Sequence, residues 1–241
     1  MPFLAAISSL IYPANCFACR RRNIDDLQKR GICKSCDEEI GQQVFEAKRG
    51  SLKIYYGSKY SPAMSHIILA AKEDNQLQAR KYLAKLLVRS LSLAMEVFDN
   101  KTNLGTSQVV LIPIPSRRAA DRARGFAHID LLVKEVRQEI RREDSNMILN
   151  LQKCLSHKKK IADQSSLNFH ERELNMRDSF KVEVNFVSRM EELTNSNSAI
   201  FLVDDLVTSG STVQAANRAL NHLGIRVDGV LASCATDGFT H

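Results

Sequence analysis

Two adjacent carboxylates, Asp204 and Asp205, stand just before a Thr208-Ser-Gly-Ser-Thr212 stretch, and these residues are the ones in the chain best suited to chemistry. The second stretch offers unpaired backbone N–H groups, a helix N-terminus and four hydroxyls around Gly210. That combination suits a phosphate monoester. The carboxylates would repel an anion beside them, so they must face hydroxyls or a metal cation while the loop holds the phosphate. A sugar phosphate meets both demands.

A second group of reactive residues lies near the N-terminus. Cys16-Phe-Ala-Cys19 and Cys33-Lys-Ser-Cys36 are two CxxC pairs separated by thirteen residues. Each pair fits a tight knuckle that puts two thiolates on one metal, and together they suit a tetrahedral four-cysteine zinc site. A redox CxxC is disfavoured because two pairs occur without a thioredoxin-like context, and disulfides are disfavoured by the reducing compartment expected for the chain. A closed four-thiolate shell leaves no open position, which makes the zinc structural rather than catalytic. Cys154 and Cys234 lie in apolar runs and read as buried hydrophobes.

The acidic pair needs a scaffold. Ile200 to Val203 is an apolar run that predicts a buried parallel strand, and a helix with Val213, Ala216, Leu220 and Leu223 on one face follows the loop. Val109 to Pro115 predicts a second buried strand, ended by prolines. Ser116-Arg117-Arg118 comes directly after it, and Asp121 to Phe126 leads into an amphipathic helix carrying Ile129, Leu132, Val133, Val136 and Ile140. Leu52 to Tyr56 alternates like a strand. Ser61 and Pro62 then predict the N-cap and first residue of a helix that reaches Ala71 and ends at Lys72. Leu83 to Phe98 continues at helical spacing. Met147 to Leu155, Ser179 to Val184 and Val227 to Cys234 read as further strands. Strands alternating with helices predict an α/β fold with a parallel sheet and a ligand at the carboxyl ends of its strands.

The stretch from Ile200 to Val213 resembles, position for position, the phosphoribosyl pyrophosphate signature of type I phosphoribosyltransferases. That resemblance implies that Asp204 and Asp205 bind the ribose hydroxyls and that Thr208, Ser209, Gly210, Ser211 and Thr212 bind the 5′-phosphate. With the four-cysteine knuckle, Lys72, Ile114-Pro115 before Arg117-Arg118, and Arg122-Ala-Arg-Gly-Phe126, nearly the whole chain resembles the ComF family, named for a competence protein of bacteria that take up DNA. The resemblance implies a lead-in and zinc ribbon over residues 1–45 and a phosphoribosyltransferase-like parallel sheet flanked by helices over 46–241. It also implies a flexible catalytic loop at about 156–177. Gln164, Leu167, Arg172 and Asn175 match the family's spacing there, while Ala162-Asp163 replace its usual Thr-Pro.

The activity so implied is transfer of a phosphoribosyl group to an unidentified small acceptor with release of pyrophosphate. Mg2+ would accompany the substrate, with Lys72, Arg117 and Arg118 as candidate pyrophosphate contacts and Zn2+ in the ribbon. Some family members keep the binding loop as regulators without catalysis. The alternative reading is therefore a non-catalytic protein of DNA uptake, acting through DNA or the uptake machinery.

Composition bounds these readings. A net charge of +7 over 241 residues favours anionic ligands, phosphates and nucleic acid alike. Aromatic residues make up only 6% with no Trp, a poor basis for stacking unpaired bases. Met1 to Ile11 has the hydrophobicity of a short secretory core but lacks a basic flank and a small-x-small cleavage site, so it reads as an amphipathic lead-in that packs on the protein. No later apolar run has the length of a membrane span, and the expected location is the cytoplasm. Lys158 to Lys160 reads equally as a solvated charge run or a pyrophosphate contact. His66, His128, His157 and His170 lack partners at a spacing that demands a site, and no role is assigned to them.

Overall fold

The computed structural model describes residues 15–21, 31–102, 108–143, 147–158, 179–183, 186 and 198–236. The lead-in at 1–14 and loop positions Gln164, Leu167, His170, Arg172 and Asn175 lie outside the described residues.

The elements run α1 (Lys34–Ile40), β1 (Phe45–Arg49), β2 (Leu52–Tyr56), α2 (Pro62–Lys72), α3 (Leu77–Thr102), β3 (Gln108–Pro113), α4 (Arg118–Arg124), α5 (His128–Glu143), β4 (Ile148–Leu151), β5 (Leu155–His157), β6 (Phe180–Val182), β7 (Ala199–Val207), α6 (Ser211–Asn221) and β8 (Gly229–Ala235). A six-stranded sheet has the order β1-β2-β8-β7-β3-β4, and β5 pairs with β6 in a small antiparallel ribbon. Only the β1–β2 pairing of the large sheet is antiparallel. The fold is thus the expected mixed α/β layering with a mostly parallel sheet.

β7 is the middle of the parallel part, paired with β3 on one side and β8 on the other. Both its faces are covered, which explains its unbroken apolar run from Ala199 to Val203. Phe201 and Val203 join a core with α2, α3 and α5 on one face, while Ile200 and Leu202 join a second core with α6 on the other. A fully buried Ser90 on α3 donates to the carbonyl of Ala232 at 3.0 Å, and Ser233 donates back to Leu83 at 3.1 Å. These bonds hold the long helix against β8 and satisfy hydroxyls that burial would otherwise penalise.

Three expectations change. The single strand over Met147 to Leu155 is broken into β4 and β5, with Gln152 donating its N–H to Leu111 and Cys154 buried between them. Leu223 lies past the end of α6 and is 42% exposed, because the helix stops at Asn221 and the chain turns through Gly224. Phe45 to Arg49, for which no strand was expected, pairs with β2 as a hairpin closed at Arg49 and Leu52.

Ser61 behaves as expected, accepting the N–H of Met64 at the start of α2. Ser61→Ala is expected to cost about 1 kcal/mol. Urea unfolding would measure it, and because α2 also carries Lys72, a change in ligand affinity at unchanged fold would accompany it.

Candidate functional site

Asp204 and Asp205 sit near the carboxyl end of β7, and the chain leaves that strand through Thr208, Ser209 and Gly210 into α6. The neighbouring strands β3, β8 and β2 end on the same edge of the sheet. Ser116, Arg117 and Arg118 follow β3 there, and Gly57, Ser58 and Lys59 follow β2. The phosphate-loop and acidic-pair candidates are therefore adjacent, and Arg117 and Arg118 are exposed on the same edge.

The two carboxylates have different surroundings. Asp204 is half-buried and curls so that its Oδ1 accepts the N–H of Asp205 at 2.9 Å. Asp205 is 5% exposed, with its Oδ2 3.4 Å from the Lys72 ammonium and 3.3 Å from His128 Nε2. Burial and then the Asp205 charge push the Asp204 carboxyl well above the usual carboxylate range. Burial alone would raise Asp205 too, but His128 and Lys72 together outweigh it and hold that carboxyl below the usual range. The two carboxyls are thus pushed in opposite directions, Asp204 up and Asp205 down.

Lys72, a candidate pyrophosphate contact, is turned onto the acidic pair. His128, to which no role was assigned, is 1% exposed and faces Asp205 from the first residue of α5. No local pattern marks it, since its partner lies 77 positions away in the chain. Two other histidines bond to backbone: His66 Nδ1 lies 2.7 Å from the Ala18 carbonyl, and His157 Nε2 lies 2.9 Å from that of Pro115.

In the loop, Gly210 has φ +78, a left-handed conformation that favours glycine. Ser209 Oγ lies 3.1 Å from Ser211 Oγ and accepts the Ser211 N–H at 3.4 Å. Arg49, from the β1–β2 hairpin, donates through Nη2 to the Thr208 carbonyl at 2.8 Å. It too was absent from the sequence reading, lying 159 residues from its partner.

The thiolate candidates also converge. The Sγ atoms of Cys16, Cys19, Cys33 and Cys36 all lie within 4.8 Å of one another. Cys19 and Cys33 are 3.9 Å apart, against roughly 3.8 Å between sulfurs of a tetrahedral zinc site with Zn–S near 2.3 Å. Burial would raise the Cys16 thiol, but backbone N–H groups around its sulfur outweigh that and bring it down to about 7. The second pair opens α1, and the first turns through Arg20 at φ 60. Donor type, spacing and closed shell fit a structural zinc ion. Cys154 and Cys234 are buried away from the cluster, as expected.

The chain is 24% identical over 218 residues to Competence protein F of Haemophilus influenzae, a match spanning 83% of this chain and 88% of that protein. Over most of its length the chain is similar to that competence protein. No family model matches it. Most of the chain thus has a counterpart in that relative. Among the described residues, no helix is long and apolar enough to cross a membrane.

The charges and the thiols can each be tested. An aspartate whose folded pKa is raised costs stability as pH climbs from its unfolded value, near 3.9, towards the folded one, and the cost persists above it. Asp204→Asn removes that cost, so its melting temperature is expected to exceed wild type by more at pH 8 than at pH 4.5. Asp205 has the opposite sign: its stabilisation is full above the ordinary carboxylate range and is lost as pH falls towards its lower folded value. Asp205→Asn is expected to cost roughly 2 kcal/mol at pH 7, allowing for screening at the partly exposed Lys72, and less at pH 4. For the thiols, metal analysis is expected to give about one zinc per chain. Cys16, Cys33 and Cys36 belong to the same core as α2 and α3, so stripping the metal with a chelator is expected to lower the melting temperature of the whole domain.

Proposed function

We propose that this protein binds phosphoribosyl pyrophosphate at the carboxyl edge of β7 and transfers its phosphoribosyl group to a small acceptor. The observation that carries the proposal is the position of Asp204, Asp205 and the Thr208–Thr212 loop at one strand end, next to the exposed Arg117 and Arg118. A loop of N–H groups at a helix N-terminus suits the 5′-phosphate. The acidic pair suits vicinal hydroxyls, which can donate to its carboxylate oxygens.

In the transfer, the bond from the anomeric carbon to pyrophosphate breaks with its electron pair on the leaving group. A bond from the acceptor forms, and the acceptor's proton goes to solvent or to pyrophosphate. Positive charge grows on the ribose ring while negative charge grows on pyrophosphate, so the protein's task is electrostatic and positional. Arg117, Arg118 and, once released from Asp205, Lys72 supply cations to the leaving group. Magnesium belongs here as a counter-ion of pyrophosphate. The half-buried Asp204 would face its water shell, whereas Asp205 already faces Lys72 and His128. When bound, the ion supplies further neutralisation of the leaving group.

A second reading draws on the relative's name, Competence protein F. On that reading the chain acts in DNA uptake through nucleic-acid or protein contacts, with the sugar-phosphate site serving as a sensor. The net charge of +7 is compatible with contacts to a phosphate backbone.

Calorimetric titration with phosphoribosyl pyrophosphate and Mg2+, followed by a pyrophosphate-release assay over bases and amines, separates the readings. Binding with release is the expected outcome, with both lost in the Asp204→Asn/Asp205→Asn double variant. Binding without release across the panel favours the sensor, and unchanged affinity in the double variant would remove the site assignment.

A further inference from the structure

Arg117 and Arg118 can serve a leaving group only if the helix that carries them is held in place, and little packing holds it. α4 joins neither hydrophobic core, and no residue from Pro115 to Ala127 is fully buried. Its N-cap, Arg117, makes no side-chain capping bond. At its other end the chain turns through Gly125 at φ +78, with nothing within 4 Å of a methyl group added there. A helix of 7 residues is too short to stand on its own hydrogen bonds.

Arg124, in the last turn of α4, ties it down. Its side chain is 7% exposed. Nη2 donates to Asp121 Oδ1 at 2.9 Å, one turn back on the same helix, and Nη1 reaches Glu73 Oε1 at 3.5 Å. Glu73 is the C-cap of α2, directly after Lys72, whose ammonium lies 3.4 Å from Asp205. One buried guanidinium therefore joins the helix of Arg117 and Arg118 to the end of the helix of Lys72. Its Nε is buried without a hydrogen-bond partner among the described residues, a cost that fold stability alone gives no reason to keep.

The other side of the joint is firm. The turn after Glu73 passes through Asn75 in the left-handed region at φ 54, and Asn75 Oδ1 accepts from Arg80 Nη1 at 2.7 Å. Gln76 donates its N–H to the Ala70 carbonyl at 2.9 Å. Arg80 is itself buried on α3, with Nε 3.9 Å from Glu135 of α5. Glu73 thus stands on a turn bonded back to α2 and α3 and backed by α5.

We propose that Arg124 is a positioning residue for the leaving-group end of the site and, through it, a determinant of ligand choice. It holds α4 to the end of α2, so that Arg117, Arg118 and Lys72 meet a pyrophosphate as one group of cations. The assignment rests on the phosphoribosyl reading of the site and adds to it. Cations gathered without a ligand repel one another, and an untied α4 would carry its arginines out into solvent. Ordering them only when the ligand arrives would weaken binding, whereas the tie orders them beforehand. The effect falls on the pyrophosphate alone, because on that reading the 5′-phosphate and the ribose hydroxyls belong to the loop and the acidic pair.

Two ligands that differ only in the pyrophosphate test this: phosphoribosyl pyrophosphate and ribose 5-phosphate, titrated calorimetrically with Mg2+ into the zinc-loaded full chain. Arg124→Met keeps an unbranched apolar stem and removes the charge and the donors. Glu73→Gln removes the same ion pair from its half-exposed side, where the fold is least at risk. Wild type is expected to bind both ligands, phosphoribosyl pyrophosphate more tightly. Arg124→Met is expected to bind phosphoribosyl pyrophosphate at least about tenfold more weakly while ribose 5-phosphate stays within about twofold of wild type. Glu73→Gln is expected to show a smaller loss with the same selectivity, and the double variant to be no worse than Arg124→Met alone. A residue that only stabilised the fold would weaken both ligands alike, and that result overturns the assignment. So does unchanged affinity for phosphoribosyl pyrophosphate in either single variant, or equal affinity of wild type for the two ligands. Should Arg124→Met fail to fold, Glu73→Gln decides by the same criterion. If wild type binds neither ligand, the phosphoribosyl reading itself fails and the Arg124 assignment falls with it, an outcome distinct from the others.

Discussion

A carboxylate buried at the end of the central strand needs a matching cation, and the arrangement around Asp205 follows from that need. Removing an anion from water costs several kcal/mol unless charge and hydrogen bonds are returned to it. Here α2 contributes Lys72 from its last turn and α5 contributes His128 from its first residue. Each helix is also packed into the same core as β7. The positions of the two helices and the state of the acidic pair are therefore one problem with one solution. Asp204, left with burial and a negative neighbour, is pushed the opposite way, well above the usual carboxylate range.

The same core ties the cysteine cluster to the site. Cys16, Ala18, Ile32, Cys33 and Cys36 are continuous with the buried faces of α2 and α3. His66 of α2 bonds to the Ala18 carbonyl, and Tyr82 of α3 donates to Asp37 of α1 at 2.9 Å. A structural metal here would fix the outer side of α2, while Lys72 at the end of that helix reaches Asp205. The knuckle is thus joined to the site through a shared helix.

What was legible in the sequence is what is local. The passage from Ile200 to Val213 is strand, turn and helix in fourteen consecutive residues, and its chemistry and geometry share one window. The CxxC pairs were legible for the same reason, since each knuckle is made by its own four residues. Arg49 and His128 were not legible, because their partners are fixed by the sheet order and by helix packing. Tertiary packing also decided the smaller differences. Leu223 fits the helical period, yet α6 ends at Asn221 and the chain turns there. Met147 to Leu155 reads as one strand, but the N–H of Gln152 goes to Leu111 and the run divides.

The account's central claim is that the carboxyl edge of β7 holds a phosphoribosyl group, with the phosphate on the loop and the hydroxyls on the acidic pair. A crystal structure of the protein soaked with phosphoribosyl pyrophosphate and Mg2+ tests it most directly. The account predicts the 5′-phosphate within hydrogen-bond distance of the backbone N–H groups between Ser209 and Thr212, and the ribose hydroxyls at Asp204 and Asp205. Electron density for the ligand anywhere else, or a phosphate placed against Arg117 and Arg118 with the loop left empty, would contradict it.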